Sequence, residues 1–334
     1  MNGNGEGSLR FMCVSQSGSK EEQLNKKSLP FDHLPVMVGE IVELAAPIPA
    51  GYFLDATVGG GGHSKALLQN VDGLHLVGID RDPAAIEAAK NRLELFEKRV
   101  QLQRGRFDQL SEILLEVGIS SLSGFLFDLG VSSPQIDQPS RGFSFRREGP
   151  LDMRMDPELP LDAAEVVNSY SHGELARVLR TYGDERYASR IASALLQARP
   201  LSTTTELAEV IVEAIPAAAR RTGGHPAKRS FQALRIEVNN ELAILAPALE
   251  SALDALTPGG RGFVLTYHSG EDRIAKDVFR RRSAQIDPPG LPVVSEEPKF
   301  ALVRPLARKP KKSEVLQNRR SASARLRTIE RLAA

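Results

Sequence analysis

Three aspartates in this chain each close an apolar run: Leu54-Asp55, Gly78-Ile79-Asp80 and Phe127-Asp128. The first is followed by Ala-Thr-Val and four glycines, Gly59 to Gly62, then His63-Ser64. The third opens Asp128-Leu-Gly-Val-Ser-Ser-Pro-Gln, which ends at Gln135. Glycines let the backbone come close to a ligand and supply the dihedrals of a tight turn. A helix starting just after them presents unpaired N–H groups. Asp80 lies 18 residues beyond Gly62, about where an acid at the tip of a second strand meets the hydroxyl pair of a ribose. The chemistry this spacing suits is the binding of a nucleotide-like cofactor.

Charge narrows the cofactor. A phosphate-binding P-loop carries Lys and then Ser or Thr after its last glycine, whereas this run continues His63-Ser64. The dinucleotide spacing G-x-G-x-x-G is matched poorly by Gly59 to Gly62. Asp55, Asp80 and Asp128 would repel a pyrophosphate but favour the sulfonium and ammonium of S-adenosylmethionine, which has no phosphate. A pocket rimmed by acids and floored by glycine therefore suits S-adenosylmethionine better than NAD. Taken singly, the glycine run has a lesser reading as a connecting turn, and each acid reads equally as a helix cap or a surface charge.

Ser132, Ser133 and Pro134, next to Asp128, are the residue types that hold a target amine. An exocyclic amine is a poor nucleophile because its lone pair is delocalised into the ring. Acceptors on the loop can hydrogen-bond its N–H groups and localise that pair, so that positioning does most of the catalysis. Methylation at carbon 5 of cytosine would need a nucleophilic cysteine, and the single thiol, Cys13, lies in the N-terminal leader. His268, at the end of an apolar run, is a further catalytic candidate; a buried, hydrogen-bonded histidine is the competing reading. In Arg141-Gly-Phe-Ser-Phe-Arg, Phe143 and Phe145 either stack a base or anchor a core. Asp152, Arg154 and Asp156 read as catalysis or as an internal salt-bridge network. Arg229, Arg235 and the C-terminal arginines are candidates for phosphate contacts.

Positioning these residues takes alternating elements. Period and turn signals predict strands at 52–56, 75–79, 100–104 and 124–128, with helices at 63–69, 83–96 and 109–117. The alternation then stops. Helical stretches follow at 171–182, 184–197 and 205–214, then a long helix at 234–256, a turn at Thr257-Pro-Gly-Gly, a strand at 262–267 and a further strand near 300–304. The expected fold class is α/β, a Rossmann-like doubly wound sheet with an inserted all-helical domain. The expected division is a disordered leader over 1–30, the sheet domain over 31–136 and 231–305, the insertion over 137–230 and a basic tail over 306–334.

At 334 residues, 41% hydrophobic and 25% charged, the composition is that of an ordinary globular protein. No apolar run approaches the roughly 18 residues of a membrane span, and the N-terminus lacks the apolar core of a signal peptide. With one cysteine and no Cys/His cluster, neither a disulfide nor a metal site is expected, and a cytoplasmic setting is the default. The net charge of +1 is unremarkable, but from Arg304 to Arg331 ten Lys or Arg face only Glu314 and Glu330. That run reads either as a solvated, partly helical end or as a contact for a polyanion.

The chain resembles the RsmH/MraW family of bacterial 16S rRNA (cytosine-N4)-methyltransferases over roughly 33–332. The resemblance rests on His33-Leu-Pro-Val, Asp55-Ala-Thr-Val-Gly-Gly-Gly-Gly-His-Ser, Gly78-Ile-Asp-Arg-Asp and Asp128-Leu-Gly-Val-Ser-Ser-Pro-Gln. It continues through Arg141-Gly-Phe-Ser-Phe-Arg, Gly149-Pro-Leu-Asp-Met-Arg-Met-Asp, Arg229-Ser-Phe-Gln-Ala-Leu-Arg-Ile and Asn318-Arg-Arg-Ser-Ala-Ser-Ala-Arg-Leu-Arg. It implies a class I methyltransferase fold and transfer to N4 of a cytidine in the decoding region of 16S rRNA in the small ribosomal subunit. It also implies cofactor contacts at Gly61, Gly62, His63, Asp80, Phe107, Asp128 and Gln135. The family usually has Phe-His-Ser-Leu-Glu-Asp-Arg where this chain has Tyr267-His-Ser-Gly-Glu-Asp-Arg, a loss of side chain at Gly270 that loosens the loop. The rivals are an NAD-dependent oxidoreductase and a non-catalytic RNA-binding assembly factor. The sequence names no general base and does not reveal the oligomeric state, a homodimer being one possibility.

Overall fold

The computed structural model describes residues 35–220, 224–285 and 297–333. Among these, seven strands form one sheet: β1 (Gly51–Asp55), β2 (Leu74–Asp80), β3 (Val100–Arg104), β4 (Leu122–Asp128), β5 (Leu256–Thr266), β6 (Phe300–Leu302) and β7 (Arg325–Arg331). Their order is β3-β2-β1-β4-β5-β7-β6; β7 runs antiparallel to both of its neighbours and the other pairs are parallel. The winding reverses between β1 and β4, and in such sheets ligands enter the crevice at the carboxyl ends of the strands there.

Strands covered on both faces are apolar throughout rather than alternating. Phe125 and Phe127 of β4 and Val264 of β5 pack on one face, while Leu126, Phe263 and Leu265 pack on the other. α1 (Val38–Ala45), α2 (Gly62–Asn70) and α3 (Pro83–Arg92) cover the second face. α4 (Leu110–Glu116), α12 (Glu241–Ala255) and α13 (Ser269–Arg282) cover the first. A Cβ at Gly262 would collide with the Phe125 ring, so glycine is what lets that ring lie across β5.

Beyond α5 (Ser133–Asp137), the chain builds α6 (Ala163–Ser169), α7 (His172–Gly183), α8 (Ala188–Ala198), α9 (Thr204–Ala214), α10 (Ala217–Arg220) and α11 (Lys228–Asn239). These share a separate core that includes Val167, Leu179, Ile191, Leu207, Ile211 and Leu234. α7 starts at a capping box, Ser171 with Glu174, and α9 at another, Thr203 with Glu206. A short helix, α14 (Lys312–Gln317), precedes β7.

Several expectations are corrected. The long helix at 234–256 is two helices, α11 and α12, which meet at Asn240 in the left-handed region at φ 52°. Asparagine is among the few non-glycine residues that take that conformation readily, and no Gly or Pro marks the break. The boundary expected at 230 falls inside α11, whose Phe231, Leu234 and Val238 pack in the helical core. The turn at Thr257-Pro-Gly-Gly lies within β5 as an irregularity, where the register passes from Leu122–Leu256 to Gly124–Arg261. The 306–334 segment is not a tail: β7 lies between β5 and β6 with Leu326, Thr328 and Ile329 buried. The expected leader over 1–30, with Cys13, lies outside the described residues, as do His33 and Leu34 of the first family motif.

Candidate active site

A cavity of about 1000 Å³ opens at the carboxyl ends of β1, β2 and β4. Its walls include the glycine turn, Asp80, Phe107, the 128–135 segment, the 143–147 segment and His268. At the tip of β2, Asp80 Oδ2 accepts the Gly59 N–H at 2.9 Å and Oδ1 the Asp82 N–H at 2.9 Å. Each oxygen keeps a further lone pair, so the carboxylate can still accept from two hydroxyls. Burial pushes its pKa up to about 6. The Gly61 N–H donates to the Val58 carbonyl at 2.8 Å, so the amides of Gly59 and Gly61 are both engaged within the protein and do not cradle a phosphate. That donor set fits the phosphate-free cofactor expected from the sequence.

The turn's residues divide their work. Gly62 and His63 line the cavity, but Gly61 does not. At φ 73° in the left-handed region, Gly61 lies where a Cβ would be 3.3 Å from Leu93 Cγ beside α3. Its role is the turn itself. Phe107 faces the cavity, braced edge-on by Phe127 with centroids 5.6 Å apart and overlaid by the Arg81 guanidinium at 5.7 Å.

Asp128 ends β4. Its N–H donates to Thr57 Oγ1 at 2.7 Å, and its Oδ1 accepts the Tyr267 hydroxyl at 2.8 Å. Its Oδ2 lies 3.6 Å from His63 Nδ1, while His63 Nε2 donates to the Val36 carbonyl at 2.9 Å. Burial raises the Asp128 pKa, against the pull of His63 and the Tyr267 hydroxyl. Burial and the neighbouring carboxylate hold the Tyr267 phenol well above its usual value, so it remains a donor. Asp55 is not on the rim. Only 1% exposed, it accepts the Ser64 hydroxyl at 2.6 Å and the Thr57 N–H at 3.3 Å and does not line the cavity. Of the three strand-end aspartates, only Asp80 and Asp128 line the cavity.

Ser132, Ser133 and Pro134 line the cavity beside Asp128. Gln135 lines it too, but its Oε1 accepts the Ser132 N–H at 3.0 Å and its Nε2 donates to Asp82 Oδ2 at 3.1 Å. Its amide fixes the loop. The same Asp82 oxygen takes Arg141 Nη1 at 2.8 Å. His268 faces the cavity as the N-cap of α13: its Nδ1 accepts the Gly270 N–H at 3.2 Å. Its Nε2 lies 3.1 Å from Glu271 Oε1 but off the line of a good hydrogen bond. Glu271 Oε2 accepts the Tyr267 N–H at 2.7 Å and the His268 N–H at 3.2 Å. Burial opposes ionisation of Glu271, yet His268, Arg235 and these bonds hold its pKa below the usual range. In this arrangement the His268 ring caps α13 through Nδ1. At Gly270 a Cβ would stand 3.1 Å from Leu242, so the backbone there packs closely against α12.

Other candidates are placed elsewhere. Arg229 donates to the Asp184 carbonyl at 3.2 Å outside the cavity. Arg235 is paired through two bonds of 2.8 Å with Glu241, and so is closed to phosphate. Arg154 grips Asp152 at 2.8 Å, and Asp156 meets Arg104 at 2.9 Å: the salt-bridge reading holds. Phe143 and Phe145 pack on the helical core, as the anchor reading expects, and also line the cavity. Of the C-terminal arginines, Arg319 and Arg320 reach the cavity, the latter paired with Asp137 at 2.7 Å. Sequence reading missed Tyr267, His225 and Lys228, which also line it. The only local signal for Tyr267 was its place at the end of the apolar run before His268.

A sheet in this order with an antiparallel β7, an acid after β2 and another after β4 around a glycine turn defines a class I methyltransferase. The profile of the MraW methylase family matches residues 30–332, and the chain belongs to that family. It is 51% identical over 308 residues to ribosomal RNA small subunit methyltransferase H of Acidothermus cellulolyticus, covering 90% of this chain and 94% of that protein. To the protein of the same name from Thermobifida fusca it is 50% identical over 307 residues, covering 90% and 93%. A solved rRNA methylase from Streptococcus thermophilus is 12% identical, with a TM-score of 0.42 over 90% of this chain and 99% of that one. Among the described residues no helix is long and apolar enough to cross a membrane.

Proposed function

We propose that this chain is a cytoplasmic enzyme that methylates the exocyclic N4 of a cytidine in the decoding region of 16S rRNA, within the small ribosomal subunit. The relatives' shared name supports the substrate. The observation that carries the reading is one cavity holding both Asp80 with the glycine turn and the Asp128–Pro134 loop.

S-adenosylmethionine, when bound, supplies an electrophilic methyl group on a cationic sulfur. Asp80 accepts from the ribose hydroxyls, Phe107 lies beside the adenine, and Gly62 and His63 approach the methionine part. Asp128, with one oxygen held by Tyr267, supplies negative charge where the cofactor is cationic. A base paired or stacked in folded RNA is splayed out to reach such a pocket. The Ser132 and Ser133 oxygens and the loop carbonyls then accept the amine's N–H groups, and Pro134 keeps the loop rigid. Once methylated, the nitrogen is acidic enough to shed its proton to solvent, so the chemistry needs no dedicated base.

The test is incubation with methyl-labelled S-adenosylmethionine and small subunits that lack the modification. Label on cytidine N4 is the expected result. Cofactor binding without transfer would instead make the chain an RNA-binding assembly factor, and binding of NAD in place of S-adenosylmethionine would overturn the reading altogether.

A further inference from the structure

The cavity carries an aromatic stack that neither the cofactor nor the target-amine loop uses. Phe145 and His225 lie face to face, with ring centroids 4.3 Å apart and planes 19° from parallel. Phe231 meets Phe145 edge-on at 5.6 Å, and the Arg146 guanidinium lies 5.8 Å from the Phe145 centroid. Phe145 is half-buried and braced from the helical core, whereas His225 is exposed. The Ala227 N–H donates to His225 Nδ1 at 3.3 Å, which leaves the ring proton on Nε2. Burial, and then the charge of Arg146, lower the His225 pKa, so the ring is neutral near pH 7. Five exposed cations line the same cavity: Arg147 and Arg320 are engaged by Asp137, and Arg146, Lys228 and Arg319 stand with them.

A neutral ring held rigid from behind and bordered by cations is the arrangement single-stranded nucleic acid recognises. Bases stack on aromatic faces whatever their identity, and phosphates sit on Lys and Arg. Arg146 and Lys228 belong to the insertion and Arg319 to the 318–323 segment, so these cations stand on cavity walls other than the one that carries Asp80 and Asp128.

We propose that the Phe145–His225 stack is a platform for the base of a nucleotide adjacent to the target cytidine, with the flanking phosphates on Arg146, Lys228 and Arg319. This rests on the rRNA reading above. The platform holds the strand open beside the splayed target, and it reads stacking rather than base identity.

The test measures equilibrium binding of the full chain to unmodified small subunits as a function of salt, with the affinity for S-adenosylmethionine measured in parallel by calorimetry. His225→Ala should weaken subunit binding by about 5- to 100-fold, the range of one lost base stack, and leave cofactor affinity and the salt slope unchanged. His225→Phe should restore the binding. The double variant Arg146→Gln, Lys228→Gln should flatten the slope of log K against log salt by about 1.4, two single-strand phosphate contacts. Unchanged subunit affinity in His225→Ala, or failure of His225→Phe to restore it, would overturn the platform. A wild-type chain that transfers no methyl group to subunits would instead overturn the rRNA reading on which it rests.

Discussion

At the scale of single residues, the site turns on two carboxylates whose surroundings differ. Asp80 has both oxygens on backbone N–H groups and a pKa near 6. Protonation removes a charge-assisted acceptor, so affinity for S-adenosylmethionine should hold above pH 7 and fall up to about tenfold per unit below about 6. Calorimetric titration between pH 5 and 8 checks this, and Asp80→Ala should lose about 100-fold at pH 7.5 and most of the pH dependence. Asp128 depends on a neighbour across the sheet, the Tyr267 hydroxyl at 2.8 Å. Tyr267→Phe removes a bond to a charged group, worth about 1.5–3 kcal/mol. It should cut kcat/KM at least tenfold, shift the acid limb of the rate profile upward and lower Tm by a few degrees. Asp80 and Asp128 were legible because each ends an apolar run. Asp55 reads identically, yet it turns into Ser64 at 2.6 Å; which way a strand-end side chain faces depends on the helix that follows. Tyr267 was not legible, because its partner lies 139 residues away.

At the scale of elements, β1 to β4 and the helices between them were legible because buried parallel strands are uninterrupted apolar runs bounded by turn residues. β7 was not. Four of its seven residues are charged, Arg325, Arg327, Glu330 and Arg331, and its alternation is visible only once their partners are placed. Asp272 takes Arg327 at 2.7 Å and Arg325 at 3.1 Å, while Glu330 takes Arg261 at 2.7 Å. A solvated tail would tolerate Ile329→Ala within about 0.5 kcal/mol. A core strand should lose about 2–5 kcal/mol, read from the midpoint of urea unfolding. The break at Asn240 was hidden for a different reason: one residue in the left-handed region leaves no mark on an apolar periodicity that continues on both sides.

At the scale of the molecule, two cores meet through a few buried polar ties. Asp82, at the tip of the sheet, receives Arg141 at 2.8 Å and Gln135 at 3.1 Å, and Arg81 donates to the Asn239 carbonyl at 3.0 Å. Asn239 in turn binds Met153 and Met155 of the insertion at 2.8 Å each. These ties make the cavity a joint product of sheet and insertion, and they predict a single thermal transition. Arg141→Ala leaves a buried carboxylate without its cation, a loss of about 3 kcal/mol. It should also broaden or split the calorimetric peak, separating two units that the wild type melts as one.

The sheet order has a consequence for how the chain assembles. β7 is synthesised after β6 but lies between β6 and β5, so β6 has no strand to join until residues 325–331 have emerged from the ribosome. Throughout that interval β5 presents a bare edge of unpaired amides and carbonyls, the kind of template on which nascent chains aggregate. A transcript cut short before Arg325 therefore yields an open-edged sheet prone to self-association, not a partly active enzyme.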